Sequence, residues 1–294
     1  ERGDEILMPD PSYPCNRHFV SAAEGRAVLV PTTAAERYQL SSAKVQAAWT
    51  DNTRGVLLAS PSNPTGTSIA PAELRRIHEV VQSRGGVTMI DEIYLGLSYE
   101  EEFGHTALAI DEHIISINSF SKYFNMTGWR LGWLVVPDSI AGTVEQIAQH
   151  LFICASTVSQ HAALACFEPE SLAEYERRRA EFKARRDWFV PQLNALGLHV
   201  PVTPDGAFYA WADCRAACDK LFDPASAARS EYNSGMQSAG SWDFAFELMK
   251  RAHLAVTPGR DFGHADTARF IRFSTANSMA HLQTAVDRLR EVLA

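Results

Sequence analysis

The chain lacks several features that mark whole classes of protein. It has no basic excess, because 27 lysines and arginines stand against 35 aspartates and glutamates, for a net charge of -8. Nucleic acid and anionic membranes select a basic face, so neither is expected as the main partner. No uninterrupted apolar run is long enough to cross a bilayer. The opening stretch is not typical of a signal peptide, since acidic residues stand where basic and then apolar residues would be needed.

Cysteine is also scarce, and the spacing of the cysteines does not indicate a disulfide framework. The cysteines are odd in number, widely spread and without a Cys-x-x-Cys pair, so neither a disulfide scaffold nor a zinc site is indicated. The histidines show no metal-ligand spacing either, and we predict no metal site. We interpret the cysteines as free thiols of a protein from a reducing cytoplasm. They are Cys15, Cys154, Cys166, Cys214 and Cys218.

What is present is typical of a well-cored globular protein. Of 294 residues, 46% are hydrophobic and 21% charged, and this length predicts one large domain with a smaller one. The sequence has no initiator methionine and begins almost directly with a strand-like run, so we interpret it as a fragment.

Apolar runs alternate with helical patterns through the first half. Between two of these runs, Pro71–Arg84 has apolar residues at helical spacing, with a proline in the first turn and two glycines after the end. Such alternation predicts an α/β fold, with a mostly parallel sheet sandwiched by helices. The predicted strands are Glu5–Met8, Ala27–Val30, Gly55–Ala59, Val87–Ile90, Ile114–Ile117 and Leu131–Val136.

The second half predicts a smaller α+β domain. Ser171–Ala195 is a long, charge-rich helical pattern that we expect to be interrupted at Pro191 and to bridge the two domains. We place the large domain at residues 1–187 and the small one at residues 188–294. Cys214–Ser241, rich in Ala, Ser and Gly, is predicted to be a loop or insertion. The other predicted elements are strands Ala207–Trp211 and Ala268–Phe273 and helices near Trp242–Ala252 and Ala280–Leu293.

Polar side chains follow three of the predicted strands. Asn63 follows the third strand, Asp91 and Tyr94 follow the fourth, and Ser119 and Lys122 follow the fifth. Because ligands bind at the carboxyl ends of the strands in an open parallel sheet, we expect these side chains to meet at one edge.

This combination suits one kind of cofactor. A partly desolvated lysine can lose its proton and form a Schiff base with a carbonyl group. A carboxylate such as Asp91 can keep a heteroaromatic nitrogen protonated, while Arg130 and Ser119 can bind a phosphate. Together these residues predict a site for pyridoxal phosphate, which withdraws electrons from an amino acid α-carbon.

The order of these residues resembles a known family. Asn63-Pro64-Thr65-Gly66, Asp91-x-x-Tyr94, Ser119-x-Ser121-Lys122 and Arg130, eight residues after the lysine, are similar to the signature of the fold-type I, class I and II pyridoxal-phosphate aminotransferases, the aspartate aminotransferase superfamily. The resemblance extends through Arg272 to the end of the chain. It implies a homodimer acting on amino acids and 2-oxo acids. The family's usual N-terminal section, with a phosphate-binding helix, is not identifiable here.

The resemblance also implies a role for each matching residue. Lys122 would be the Schiff-base lysine and would move the proton, and Asp91 would pair with the ring nitrogen. Arg272 would bind the substrate carboxylate, which Asn63 would also contact. The Asp205-Gly206-Ala207-Phe208-Tyr209 stretch is similar to the family's entry into the small-domain strand. For the rest of the cofactor, the resemblance implies Asn63 and Tyr94 at the 3-oxygen, Ser119 and Arg130 at the phosphate, and Tyr13 stacked on the ring.

Each residue alone has an ordinary explanation. Lys122 could be a solvated loop residue, Asp91 a helix cap, Tyr94 or Tyr13 a packing residue, and Arg272 the partner of a protein carboxylate. Three functions stay open on this evidence. The first is transamination by a ping-pong mechanism. The second is C–S bond cleavage, although lyase relatives usually carry a His where this chain has Tyr94. The third is a non-catalytic sensor domain of a transcriptional regulator.

Overall fold

A six-stranded sheet organises the first half of the chain. The structure is a computed structural model that describes residues 1–222 and 240–294. The strands are β1 (Glu5–Asp10), β2 (Arg26–Pro31), β3 (Thr53–Ala59), β4 (Val87–Asp91), β5 (Ile115–Ser119) and β6 (Gly132–Val135), in the order β2-β1-β3-β4-β5-β6. The first five are parallel, and β6 pairs antiparallel with β5. All six predicted strands are present.

Helices flank this sheet and supply its core. In the helix at Pro71–Ser83, Leu74, Ile77 and Val81 share one buried face that packs against sheet residues such as Val56 and Ile90. The chain leaves this helix through Gly85, whose φ of +69° is a conformation that glycine adopts without strain. The helices are α1 (Pro14–Ala22), α2 (Ser42–Ala48), α3 (Pro71–Ser83), α4 (Asp138–Phe152) and α5 (Thr157–Leu164).

A second, smaller sheet follows in the last third of the chain. It comprises β7 (Tyr209–Asp213), β8 (Thr257–Pro258) and β9 (Phe270–Ser274), antiparallel in the order β7-β9-β8. The α/β fold class, with a mostly parallel sheet and a separate α+β lobe, is therefore confirmed. The accompanying helices are α6 (Pro169–Ala195), α7 (Arg215–Leu221), α8 (Ser241–Glu247), which continues as a π-helix at Leu248–Ala252, and α9 (Met279–Leu293).

Two sequence expectations for this lobe need correction. Helix α6 is not interrupted at Pro191 but continues to Ala195. Proline removes one backbone donor, yet Phe189, Val190 and Leu193 around it are buried in the lobe's core, and this packing maintains the helix. Part of the predicted loop, Arg215–Leu221, is helical, because Ala217 and Cys218 join the same core. Residues 223–239 of that loop lie outside the described residues.

One side of the large sheet carries exposed apolar side chains. All four residues of β6 are exposed, and β6 pairs with only one neighbour among the described strands. No helix in the described part of the chain is both long and apolar enough to cross a membrane. We name this surface the β6–α4 face, and its large exposed side chains are Trp133, Leu134, Val135, Ile147, Leu151, Phe152, Ile153 and Val158.

Candidate active site

The strand register brings the predicted site residues to one edge of the sheet. Asp91, the last residue of β4, is aligned with Ala59 at the end of β3 and with Ile117 in β5. Asn63 and Lys122 follow these neighbouring strands within a few residues. Their side chains therefore begin from adjacent points along the same edge, as the parallel topology predicts.

The Lys122 ammonium lies among aromatic rings and other cations. Its Nζ atom is 5.8 Å from the ring centre of Tyr94 and 5.9 Å from that of Phe208. Burial lowers the pKa of Lys122, and the charges of Arg272 and Arg130 lower it further, while Asp91 acts in the opposite direction. The charges of Arg272, Arg130 and Asp91 therefore all act on the Lys122 amine.

Asp91 combines partial burial with a free carboxylate oxygen. Burial raises its pKa to about 6, against the effects of the Ile93 backbone N–H and the Lys122 charge. That N–H donates to Asp91 Oδ1 at 3.0 Å. The same hydrogen bond fixes the orientation of the carboxylate and leaves Oδ2 available to a ligand.

The next residue, Glu92, differs from Asp91 in that its carboxylate is fully hydrogen-bonded within the fold. Its carboxylate is buried and accepts hydrogen bonds from the Thr106 hydroxyl at 2.8 Å, the Ala107 backbone N–H at 2.6 Å and the Ser116 hydroxyl at 2.5 Å. None of these three partners is a predicted site residue. Glu92 therefore holds the chain after β4, while Asp91 faces the site.

Arg272 has no carboxylate partner among the described residues. Its guanidinium donates to Asn63 Oδ1 at 2.7 Å and to the Thr257 hydroxyl at 3.2 Å, and its Nε is buried without a partner. The guanidinium carbon lies 4.3 Å from the ring centre of Tyr209 and 4.9 Å from that of Phe262. Burial lowers the pKa of Arg272. A half-buried cation that contacts only neutral groups is suited to binding an anion.

Tyr94 is buried and bound to a second tyrosine. Its hydroxyl lies 2.8 Å from the Tyr209 hydroxyl, and the two rings meet edge to face with centres 5.7 Å apart. Burial raises the pKa of Tyr94 well above its ordinary value, so the phenol stays protonated. Tyr209, Phe208 and Phe262 were not among the predicted site residues. The aromatic pair that follows Gly206 marks the first two as candidates, but which groups they contact depends on the fold.

The loop that carries Asn63 is tied to the smaller lobe. The Gly66 carbonyl accepts backbone hydrogen bonds from Asp205 at 2.9 Å and Gly206 at 3.0 Å. The buried Asp205 carboxylate accepts a hydrogen bond from the Ser68 backbone N–H at 3.0 Å and forms an ion pair with Arg37. Gly66 has a φ of +67°, and a Cβ there would lie 2.7 Å from Pro204 Cβ. Only glycine fits this contact without a shift.

The two predicted phosphate ligands are not in contact with each other. The Ser119 hydroxyl donates to the Leu131 carbonyl at 3.3 Å, and Arg130 donates to the Thr127 carbonyl at 2.8 Å. Arg130 is exposed and borders an open groove of about 770 Å³, whose walls include Phe152 and none of the other predicted site residues. The guanidinium is thus accessible to a ligand.

Tyr13 lies immediately before α1. Its side chain is exposed, and an interaction with Cys15 raises its pKa to about 12, with burial and the nearby Asp91 charge acting in the same direction. Within residues 1–222 and 240–294, no cluster of three side chains could hold a metal ion.

Comparisons with known proteins identify the family of the chain. The family model "Aminotransferase class I and II" matches residues 1–289. The chain is 33% identical over 290 residues to a valine–pyruvate aminotransferase of Mycobacterium tuberculosis, covering 98% of this chain and 69% of that protein. It is 32% identical to an aspartate aminotransferase of Rhizobium meliloti, covering 98% of this chain and 68% of the relative.

A solved structure gives the same result. The crystal structure of an aminotransferase from Mycobacterium tuberculosis superposes with a TM-score of 0.88 at 32% identity, covering 100% of this chain and 70% of the other. The family model, the curated relatives and the overall fold thus agree, and the chain belongs to the class I and II aminotransferases, enzymes that use pyridoxal phosphate as their cofactor.

Proposed function

We propose that this protein transfers an amino group from an amino acid to a 2-oxo acid by a ping-pong mechanism, with pyridoxal phosphate bound covalently to Lys122. One observation carries the proposal. The Lys122 amine follows β5 at the sheet edge where Asp91 ends β4, its Nζ lies 5.8 Å from the ring centre of Tyr94, and the charges of Asp91 and Arg272 both act on its pKa. A carboxylate and a cation suited to binding an anion therefore both act on one nucleophilic amine.

The residues present fit this cofactor. Lys122 Nζ takes part in no hydrogen bond or ion pair with any described residue, so it is free to bond to an aldehyde carbon. Asp91 Oδ2 is available to a ring nitrogen, and the Arg130 guanidinium is accessible to a phosphate. We assign the phosphate to Arg130 and Ser119, the 3-oxygen to Asn63 and Tyr94, and the ring face to Tyr13.

The protein's own residues determine what the cofactor can do. When bound, pyridoxal phosphate withdraws the electron pair released at the substrate α-carbon. Asp91, ionised above about pH 6, keeps a proton on the ring nitrogen. The Lys122 amine, whose pKa is lowered by burial, would be the base that takes and returns the proton at the substrate α-carbon.

Arg272 selects and orients the substrate. We propose that its guanidinium binds the α-carboxylate of both the amino acid and the 2-oxo acid through two parallel hydrogen bonds. The Asn63 side chain, which already accepts a hydrogen bond from Arg272, lies at the same anion site. Both substrates of a ping-pong reaction carry this carboxylate, so a single site can serve each half-reaction.

The test is chemical trapping followed by an assay. Protein loaded with pyridoxal phosphate is reduced with borohydride and digested, and the cofactor is located by mass spectrometry. We expect it on Lys122 and not on Lys44, whose amine is bound to Glu36 and to the Pro31 carbonyl. Amino donors are then assayed with pyruvate and 2-oxoglutarate, and Lys122→Ala should bind cofactor but transfer almost no amino group.

Two other outcomes would support a different function. Release of ammonia and pyruvate from cysteine conjugates, faster than any amino transfer, would identify a C–S lyase. Labelling of Lys122 without turnover of any amino acid would support a sensor domain instead. Labelling at another lysine would contradict the proposed site.

We also propose that the protein is a homodimer formed through the β6–α4 face. Exposed side chains such as Leu151, Phe152 and Val158 make this face strongly apolar, and exposed apolar surfaces of this kind mark interfaces. The face adjoins Arg130, so a second copy would cover one side of the cofactor site. Sedimentation should give a dimer, and Leu151→Glu should weaken it. A monomer at micromolar concentration would contradict the assignment.

The remaining assignments concern boundaries and compartment. We propose a domain boundary at residues 187/188 within α6, because Phe189, Val190 and Leu193 belong to the core of the smaller lobe. All five cysteines are unpaired, which supports a reducing compartment such as the cytoplasm. Limited proteolysis and thiol labelling of the native protein would check the two assignments.

A further inference from the structure

Tyr209 connects two groups that the proposed function treats separately. It is the first residue of β7 and is buried, with its hydroxyl 2.8 Å from that of Tyr94. The face of its ring lies 4.3 Å from the guanidinium carbon of Arg272. One side chain of the smaller lobe therefore contacts both the phenol assigned to the cofactor and the cation assigned to the substrate.

The direction of the tyrosine–tyrosine hydrogen bond follows from the number of protons. Each phenol has one proton to donate, and either oxygen could be the donor in this pair. If Tyr94 donates its proton to the 3-oxygen of the cofactor, the proton between the two tyrosines must come from Tyr209. The Tyr94 oxygen can accept it while its own proton points to the ligand.

We propose that Tyr209 is a positioning residue with two separable functions. This inference rests on the proposed function. Its hydroxyl donates to Tyr94 and so directs the Tyr94 proton to the cofactor's 3-oxygen, and its ring holds the Arg272 guanidinium in the plane that receives the substrate carboxylate.

The hydroxyl function works through polarisation. A phenol that accepts a hydrogen bond becomes a stronger donor in the next bond of the chain. A stronger bond from Tyr94 stabilises negative charge on the 3-oxygen, which lowers the pH at which the bound cofactor changes its visible absorbance. Loss of the Tyr209 hydroxyl should therefore move that midpoint upwards.

The ring function works through stacking. The Arg272 guanidinium carbon lies over the rings of both Tyr209 and Phe262, whose centres are 4.3 and 4.9 Å away. Two aromatic faces restrict the guanidinium to one plane and attract its charge. Its edge then faces Asn63 and Thr257, the two polar groups that it contacts.

Three variants separate these functions in cofactor-loaded full-length protein. Tyr209→Phe keeps the ring, so the absorbance midpoint should rise by roughly half a pH unit and kcat should fall several-fold, with KM for carboxylate substrates within about twofold of the wild type. Phe262→Leu removes only a ring, so KM should rise several-fold with no change in midpoint. Tyr209→Leu should change both quantities.

A double-mutant cycle shows whether the hydroxyl acts through Tyr94. With Tyr94→Phe as background, Tyr209→Phe should produce no further rise in the midpoint, because the group it polarises is gone. An equal rise in both backgrounds would overturn the inference. So would an unchanged midpoint in the Tyr209→Phe single variant.

The same measurements separate this inference from the proposed function. If the loaded wild-type protein has a visible band and amino-transfer activity but Tyr209→Phe leaves its titration unchanged, only the role of Tyr209 fails. If the wild-type protein has no visible band, the proposed function fails and this inference fails with it.

Discussion

Arg272 and Asn63 are 209 positions apart in the chain, yet an Arg272 N–H donates to the Asn63 side-chain oxygen at 2.7 Å. Arg272 comes from the small antiparallel sheet and Asn63 from the loop after β3 of the large one. The predicted carboxylate site is therefore assembled from both sheets. Because the amide is neutral, the hydrogen bond orients the guanidinium without neutralising its charge.

Replacement of Arg272 should mainly affect substrate capture. We expect Arg272→Ala to raise KM for α-amino acids by roughly 100-fold, because two charge-assisted hydrogen bonds are lost, and to lower kcat much less. Arg269→Ala is a matched control in the same region, since Arg269 already pairs with Asp266 at 2.9 Å and Asp213 at 3.5 Å. Steady-state kinetics check both variants. An unchanged KM in Arg272→Ala would contradict the carboxylate assignment.

Asp91→Asn should stabilise the cofactor-free protein in a pH-dependent way. The folded pKa of about 6 lies above the ordinary 3.8, so ionisation of Asp91 costs stability as the pH rises from about 4 to about 6. Asparagine has no such cost. Urea unfolding should therefore give similar stabilities at pH 4, and an advantage of about 1 to 3 kcal/mol for the variant at pH 8.

The same substitution should weaken function. Asparagine cannot keep a proton on the ring nitrogen as a carboxylate does, so turnover of the loaded protein should fall by at least roughly 100-fold. A stability difference that does not vary with pH would show that Asp91 is not held in the environment described here.

Gly66→Ala should destabilise the protein more than Gly85→Ala does. Gly66 and Gly85 both have positive φ, +67° and +69°, so alanine is strained at either position. A Cβ at Gly85 meets nothing within 4 Å, whereas at Gly66 it lies 2.7 Å from Pro204 Cβ. We expect about 1 kcal/mol of destabilisation for Gly85→Ala and about 2 to 4 kcal/mol for Gly66→Ala.

The effect on KM should also be larger for Gly66→Ala than for Gly85→Ala. Gly66→Ala displaces the loop that carries Asn63, so KM should rise, whereas Gly85→Ala should leave it unchanged. Equal losses of stability in the two variants would indicate that the contact with Pro204 relaxes freely.

Glu92→Gln tests whether Glu92 only stabilises the fold while the adjacent Asp91 serves the site. Glutamine puts an NH2 group against donors that now meet carboxylate oxygens, so we expect a loss of about 2 to 3 kcal/mol in unfolding free energy. Glu79→Gln, an exposed change on α3, should cost less than about 0.5 kcal/mol. Cofactor trapping on Lys122 should survive in folded Glu92→Gln. Loss of trapping at full stability would make Glu92 a site residue.

The strands and the edge carrying the site could be predicted because short-range patterns determine them. Runs such as Gly55–Ala59 are continuous and apolar, and polar residues follow them at once, so topology alone brings Asp91 and Lys122 together. Helices α4 and α5 were not among the predicted elements, although the apolar residues of α4 recur at helical spacing, and side chains of both helices such as Leu151 and Val158 are exposed. The continuity of α6 through Pro191 depends on tertiary packing that local sequence does not encode.

The contacts of Tyr209 could not be predicted for a different reason. In the sequence it is one of several aromatic residues near Gly206, and only the fold decides which of them faces inward. Its hydroxyl meets Tyr94 from 115 positions away, and its ring meets Arg272 across the β7–β9 pair. Such long-range pairings leave no local signature.

Helix α6 has a mechanical consequence. Its 27 residues form a rod about 40 Å long that begins beside the large sheet and ends in the core of the smaller lobe. Rotation of one lobe against the other must therefore pivot on this rod or bend it. Pro191 leaves the Asp187 carbonyl without its usual helical donor, so the turn of the rod that enters the core of the smaller lobe has one hydrogen bond fewer than the turns beside the large sheet.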